Sequence, residues 1–427
     1  MWHTVYQLAL KIAEPLVRAR LRRRARREPA YGERVEERFG AVPATVPRGA
    51  IWFHTVSAGE TIAAAPLIAE LQQQHAHLPF LVTTMTPTGS EQVAQQLGDA
   101  VHHCYAPYDF GHAVESFYER VQPRLLVLME TELWPNLIAG AHQRDIPVLL
   151  VNGRLSEKSA RGYGRVGSLT RGMLAQLAVI GVQESEHRER FVALGARARN
   201  VHITGNLKFD HQLPGDYEMR LTQLYRQLPL TDRWVWIAAS THPGEDAQVL
   251  QAHRQLRKVD PQALLILVPR HPVRATEVMD LATAAGLDAC PQTQLDQCHD
   301  PEALAVLVAD TMGQLGLLYG LAECAFVGGS LVEHGGHNPI EPALCSCPIL
   351  MGPSRHNFTA VCQAFTDQEA LGMVQDADAL AARLIEYVRD DALATADGRA
   401  ARQVVEANRG ARGRIQALLA PYFAAQG

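Results

Sequence analysis

Ile51-Trp-Phe-His-Thr-Val-Ser-Ala-Gly-Glu60-Thr-Ile-Ala-Ala-Ala-Pro-Leu-Ile-Ala-Glu-Leu-Gln-Gln-Gln74 contains the unit from which the rest of the chain is read. An apolar run at 51–53 gives way to a short polar turn, and a helical pattern follows around 63–74. The exchange recurs. Residues 80–82, 125–129, 148–151 and 179–182 read as further strands, with helical stretches around 91–97, 114–120 and 137–144. Alternation of short apolar runs with helices implies βαβ units and a mostly parallel sheet.

A polar stretch at 211–232, with Pro214, Gly215 and Pro229, reads as a linker. A second series then begins, with strands expected at 234–239, 264–268, 306–308, 325–327 and 349–351. At 427 residues the chain is too long for one core, since a domain takes ~150 residues. The expected layout is a basic segment (1–30), a first Rossmann-like domain (31–210), the linker, a second Rossmann-like domain (233–390), and an Ala- and Arg-rich helical end (391–427) that packs back on the first.

Polar residues gather just after the strands of both halves. His54, Ser57 and Glu60 follow the first, Glu130 and Glu132 the third, and Asn152 and Arg154 the fourth. Ser240, Thr241 and His242, then Arg270 and His271, then Gly328, Gly329 and Ser330 do the same in the second half. Ligands of open α/β sheets bind outside the carboxyl ends of strands. Two such rims facing each other across a cleft are the simplest expectation.

The net charge of −5 and the pI near 6.4 argue against a surface built for nucleic acid. The charge is uneven, however: Arg18, Arg20, Arg22, Arg23, Arg24, Arg26 and Arg27 include no acid among them. Before them Trp2, Val5, Ala9, Ile12 and Leu16 recur at helical spacing. A spanning helix needs ~20 apolar residues, and Lys11, Glu14 and Arg18 interrupt this one. An amphipathic helix on an anionic membrane surface fits better than a secretory signal, whose charge precedes its apolar core. The bland alternative is a solvated basic face. Seven scattered cysteines resemble neither a disulfide framework nor a zinc site, and a reducing setting is the default.

Ser57-Ala-Gly-Glu60 is a capping box, with Glu60 expected to reach back to the Ser57 amide. It is also a carboxylate on the rim, placed to act as a general base. Met129-Glu-Thr-Glu-Leu-Trp-Pro-Asn136 puts two acids at the end of a buried strand, which is costly unless they are paired. Gly162-Tyr-Gly-Arg-Val-Gly167 matches a dinucleotide fingerprint but follows no strand directly. His334 and His337 lack a third ligand for a metal. Gly328-Gly-Ser-Leu-Val-Glu-His-Gly-Gly-His-Asn-Pro-Ile-Glu341 is the most specific stretch. Its glycines would let backbone amides approach a phosphate, with a helix starting near Pro339 and Glu341 available to ribose hydroxyls.

Together with Thr83-Thr-Met-Thr-Pro-Thr-Gly89, Leu207-Lys-Phe-Asp210, Ser240-Thr-His242, Val268-Pro-Arg-His-Pro272 and Asp310-Thr-Met312, these segments resemble, in order, the 3-deoxy-D-manno-octulosonic acid (Kdo) transferases. The resemblance implies an α/β GT-B glycosyltransferase, with acceptor on the first domain and the donor CMP-Kdo on the second. It implies the lipid A precursor (lipid IVA) as acceptor, no metal, no cofactor, inversion at the anomeric centre, and a place on the cytoplasmic face of the inner membrane, held through residues 1–27. Carried over by position, Glu60 is the proton acceptor, and Glu130 and Lys208 stabilise the transition state. Pro269, Arg270, Met312, Gly313, Gln314, Asn338, Pro339, Ile340 and Glu341 match positions that contact CMP. Gln314 stands where the family pattern has Glu, which moves any contact there to the backbone; Gly153 replaces the usual Ala.

Two other readings stand beside this one. Another GT-B enzyme, a sugar-nucleotide transferase or epimerase, would share the Glu333-x7-Glu341 spacing and prefer UDP-sugars. A catalytically idle, membrane-docked binding module would not depend on Glu60.

Overall fold

The computed structural model describes residues 2–298 and 300–424, with the side chains of Trp2 and His3 outside that description. Met1, the first residue of the basic segment, and residues 425–427, the last of the segment expected to be helical, lie outside it as well. The chain forms two compact units, one made of residues 1–210 and 409–427, the other of residues 211–408.

The first unit holds, among the described residues, a seven-stranded parallel sheet. Its strands are β1 (Ile51–His54), β2 (Phe80–Thr84), β3 (His102–Tyr105), β4 (Leu125–Met129), β5 (Val148–Gly153), β6 (Val179–Val182) and β7 (Val201–Ile203). They lie in the order β3-β2-β1-β4-β5-β6-β7, with Ile51 opposite Phe80 on one side and Leu125 on the other. The chain runs outward from β1 to β3, then returns to β4 and runs outward the other way. That reversal leaves a crevice at the carboxyl ends of β1 and β4, the topological switch point of a Rossmann-like sheet. Every residue of β1 and β4 is buried, as expected of strands covered by helices on both faces.

The helix Ala411–Ala424 closes this unit. Ile415, Leu419 and Phe423 are buried in the same core as Ile51, Phe53 and Phe80, each burial worth ~1.5–3 kcal/mol. The carboxylate of Asp210 fixes the start of the helix by accepting the N–H of Gly410 (2.6 Å) and of Arg412. At the other end of the chain, the helix Trp2–Ala25 docks through Leu21, which is buried with Tyr31, Phe39 and Phe110. Tyr6 donates to Asp109 at 2.6 Å.

The second unit repeats the plan with β8 (Val235–Thr241), β9 (Leu264–Pro269), β10 (Ala289–Pro291), β11 (Val306–Val308), β12 (Cys324–Val327), β13 (Ile349–Met351) and β14 (Gly372–Met373). The order is β10-β11-β9-β8-β12-β13-β14, all parallel. Its switch point falls between β8 and β12.

The expected boundaries shift. Residues 211–232 are not a bare linker: they carry the helix Tyr217–Tyr225, and Leu224, Leu228 and Leu230 are buried in the second unit's core. The segment 391–427 is two helices with different homes. Asp391–Asn408 belongs to the second unit, where Gly398 lies so close to Ser346 that a Cβ would strike its carbonyl. Only the last helix belongs to the first unit.

Candidate active site

Glu60 sits in the first turn of the helix Ala58–Gln74, directly beyond β1. Ser57 is the N-cap: extended at φ −122°, it accepts the Glu60 N–H at 3.3 Å. The expected return contact to the Ser57 amide is replaced by two others. The Glu60 carboxylate accepts the Val56 N–H at 3.0 Å and the Ser57 hydroxyl at 2.8 Å. The side chain is only 7% exposed. Burial, then the charge of Glu132, pushes its pKa up to about 7 against the opposing pull of the Val56 hydrogen bond. A carboxylate poised there exchanges a proton readily at neutral pH.

Across the switch point, Glu130 follows β4 directly with a left-handed backbone, φ +47°. Such a conformation costs ~1–3 kcal/mol in a residue with a side chain. It turns a buried carboxylate between two cations: Arg154 donates from Nε at 2.6 Å, and the Lys208 ammonium lies 3.8 Å from the other oxygen. Glu132 is satisfied separately, by the Trp134 indole N–H at 2.9 Å, and burial raises its pKa. Both acids of the 129–136 stretch are therefore paired, each in its own way.

Lys208 is far from Glu130 in sequence and reaches it through a 3₁₀ turn, Leu207–Asp210. Asn152, left-handed at φ +52° and fully buried, accepts the Leu207 N–H at 3.0 Å. Asn206 accepts the Lys208 N–H at 3.1 Å. Arg154 and Asn152 thus place the Glu130–Lys208 pair. Their signal in the sequence was position alone, just past β5. The Gly162–Gly167 match lies on the helix Glu157–Arg165 and the start of the next, not in a strand-to-helix turn.

In the second unit the residues matched to CMP contacts fall into three groups along the carboxyl rim. Pro269 ends β9, and the Arg270 N–H bonds the Thr241 carbonyl at 3.0 Å. Met312 (70% exposed), left-handed Gly313 and Gln314 follow β11. The Gln314 carbonyl is already engaged by the Gln292 amide at 2.7 Å. Asn338 donates to Glu341 at 3.1 Å and accepts the Ile340 N–H at 3.1 Å, with Pro339 capping the short helix Ile340–Leu344. The Ile340 side chain is buried, so only its backbone can meet a ligand.

The glycine-rich loop does not offer the expected amide cradle. The N–H groups of Gly329 (2.6 Å), Ser330 (2.9 Å) and Leu331 (2.8 Å) all donate to the carboxylate of Glu245, which also accepts the His242 N–H at 3.0 Å. Glu245 is fully buried and fills the anion site from inside. Its part was not readable from the sequence, where it is one acid in an ordinary polar turn. Above it lie His242, His334 and His337. His242 and His337 touch through their Nε2 atoms at 2.9 Å, and the His334 ring stacks on His242 with centroids 3.8 Å apart.

Residues 33–211 match the family model described as 3-Deoxy-D-manno-octulosonic-acid transferase (kdotransferase). The chain is 39% identical to the 3-deoxy-D-manno-octulosonic acid transferase of Haemophilus influenzae, over 99% of each protein. It is 37% identical to that of Bordetella pertussis, covering 84% of this chain and 85% of the relative. Among solved structures, the UDP-GlcNAc 2-epimerase of Neisseria meningitidis matches at TM-score 0.55 and 13% identity, covering 88% of this chain and all of that one. That likeness concerns the fold alone, the GT-B pairing of two Rossmann-like units. Full-length identity joined to this order of motifs decides the assignment: the chain belongs to the Kdo transferase family of glycosyltransferases.

Proposed function

We propose that the chain transfers Kdo from CMP-Kdo to the lipid A precursor lipid IVA, inverting the anomeric centre without a metal, with Glu60 as general base. The observation that carries this reading is the Glu60 carboxylate: buried, tethered by Val56 and Ser57, and set near neutral pKa. A primary hydroxyl of the acceptor's sugar attacks the anomeric carbon of Kdo. Its proton passes to Glu60 as the new C–O bond forms, and the C–O bond to phosphate breaks with its electron pair leaving on CMP. A single direct displacement inverts the centre.

Lys208 supplies positive charge against the charge that develops in the transition state. Glu130, itself bound by Arg154, holds that ammonium in place. Donor recognition falls to the second unit, through Pro269, Arg270, Met312, Gly313, Gln314, Asn338, Pro339, Ile340 and Glu341. Ile340 contributes backbone only, and Gln314, whose side-chain carbonyl already accepts from Gln292, is read as a backbone contact as well.

A lipid-borne acceptor requires the enzyme to meet a membrane, and the helix Trp2–Ala25 is suited to it. Its inner face docks on the first unit, yet Val5, Leu8, Ile12 and Leu16, 51–70% exposed, line the outer face. Among the described residues no helix is long and apolar enough to cross a membrane. The helix therefore lies along the cytoplasmic surface of the inner membrane, its apolar stripe in the acyl boundary. Arg18 and Arg24 are stacked on Phe39 and Tyr31, which leaves Arg20, Arg22, Arg23, Arg26 and Arg27, all exposed, for anionic headgroups. Each is worth ~1 kcal/mol near such a surface.

The test is to incubate the enzyme with CMP-Kdo and lipid IVA and weigh the products. A mass gain of Kdo residues on the acceptor is expected. Turnover with UDP-sugars and none with CMP-Kdo would overturn the reading.

A further inference from the structure

The switch point of the second sheet, between β8 and β12, carries a group of bases to which no role has been assigned. His242 follows β8, and His334 and His337 lie in the loop after β12. The glycines make this packing possible. Gly329 is left-handed at φ +68°, and a Cβ there would stand 3.1 Å from the His337 ring. Gly336 donates to the Gly329 carbonyl at 2.7 Å and His337 to the Gly328 carbonyl at 3.1 Å, which folds the loop back over its own start.

The surroundings of this cluster are basic. The charged groups acting on His242 are His334, His271, Arg270 and Arg274; on His337 they are Arg270, His242, His334 and His271. The nearby acids are spoken for. Glu245 is bound by four backbone N–H groups, and Asp246 is held by Arg274 and Thr241. Glu333 lines a hollow with Ser354 and Arg355. Among the described residues none of His242, His334, His337, Arg270 and His271 forms an ion pair with a carboxylate. Bases brought together without an acid, at the place where such sheets bind ligands, form a site for an anion.

The His242–His337 contact also fixes how many protons the site can take. Burial and the neighbouring positive charges lower both pKa values to about 4, so the pair is neutral at pH 7. Two neutral rings share two N–H hydrogens among four nitrogens. One hydrogen must lie between the facing Nε2 atoms, and the other sits on one Nδ1. One further proton completes the second Nδ1–H. A second would set two N–H groups against each other and is excluded. Neither Nδ1 has a hydrogen-bond partner among the described residues, so the protonated pair presents two unengaged donors.

We infer that His242 and His337, with Arg270, form an oxyanion site for the donor that takes up one proton as the anion binds. This rests on the reading of CMP-Kdo as donor; the oxyanion is the donor's phosphate or its sugar carboxylate. The anion supplies the negative charge the cluster lacks and makes the imidazolium stable, so binding draws a proton from solvent. The amides that would otherwise hold the anion are occupied by Glu245, and the side chains take over the task.

Calorimetric titration of the full-length enzyme with CMP, and separately with free Kdo, in two buffers of different ionisation enthalpy counts the protons exchanged. Wild type should bind about one more proton per ligand than His337→Gln, which keeps a hydrogen-bonding side chain but cannot be charged. The variant's affinity should fall roughly tenfold, the loss of a charge-assisted bond. His242→Gln provides the same comparison if His337→Gln does not fold. A difference with CMP assigns the phosphate, and one with Kdo assigns the carboxylate. Equal proton counts for wild type and variant with both ligands overturn the inference while leaving the donor assignment intact. Wild type that binds UDP but neither CMP nor Kdo overturns the donor assignment, and this inference with it.

Discussion

Ser57 and Glu60 hold each other by hydrogen bonds in opposite directions: the Glu60 N–H donates to the Ser57 oxygen at 3.3 Å, and the Ser57 hydroxyl donates to the Glu60 carboxylate at 2.8 Å. One half of this exchange caps a helix, and the other stabilises the ionised form of the base. The two duties can be separated by substitution.

Replacing Ser57 by Ala removes both. Loss of the cap should lower stability by ~1 kcal/mol, read as a lower denaturation midpoint. Loss of the hydroxyl bond removes an influence that lowers the Glu60 pKa. The acid limb of the kcat/KM profile should therefore move to higher pH, with activity recovering in alkaline buffer. A limb that stays in place would show that Ser57 serves the helix only.

Glu132→Gln should act in the opposite sense. Its charge is the largest electrostatic influence raising the Glu60 pKa above the ordinary carboxylate range. Without it the base ionises at lower pH, and the acid limb should move below the wild-type position near 7. A shift to higher pH would contradict the assignment of that limb to Glu60.

Lys208→Met should reduce kcat by about 10²–10³, the usual loss when one preorganised charge is removed from a transition state. Affinity for CMP should be unchanged. Retention of kcat within a few-fold would reduce Lys208 to a structural counter-ion of Glu130.

Changing Val5, Leu8, Ile12 and Leu16 together to Ser should leave the melting temperature unchanged, because these side chains are already largely in water. Sedimentation with vesicles containing phosphatidylglycerol should fall at least about tenfold, since each buried CH₂ is worth ~0.8 kcal/mol. Undiminished sedimentation would place the membrane contact elsewhere.

Ten of the fourteen strands among the described residues were legible in the sequence because they are interior, buried on both faces, and so appear as unbroken apolar runs. The four that were missed, His102–Tyr105, Val201–Ile203, Ala289–Pro291 and Gly372–Met373, are the four sheet edges. An edge strand is short and half exposed, as in the two exposed residues of Val201–Ile203, and it leaves no such signature. The helix Tyr217–Tyr225 was hidden among the prolines and polar residues of its surroundings.

The site divides in the same way. Glu60 and Glu130 follow strands and were visible by position. Lys208 lies in a turn fixed by Asn152 and Asn206, a long-range arrangement that local pattern does not encode. Glu245 was overlooked for a related reason: a carboxylate buried under the loop after β12 becomes an anion-site occupant only once β8 and β12 are neighbours.

The most direct test of the central claim is the turnover of Glu60→Gln with CMP-Kdo and lipid IVA. Gln has the same shape and can still accept the Val56 N–H, so the fold and the CMP affinity should persist, but it cannot take a proton. The account predicts a kcat reduced by about 10²–10⁴, the usual worth of a general base. A Glu60→Gln enzyme that turns over within a few-fold of wild type would contradict it and leave Glu60 as a helix cap.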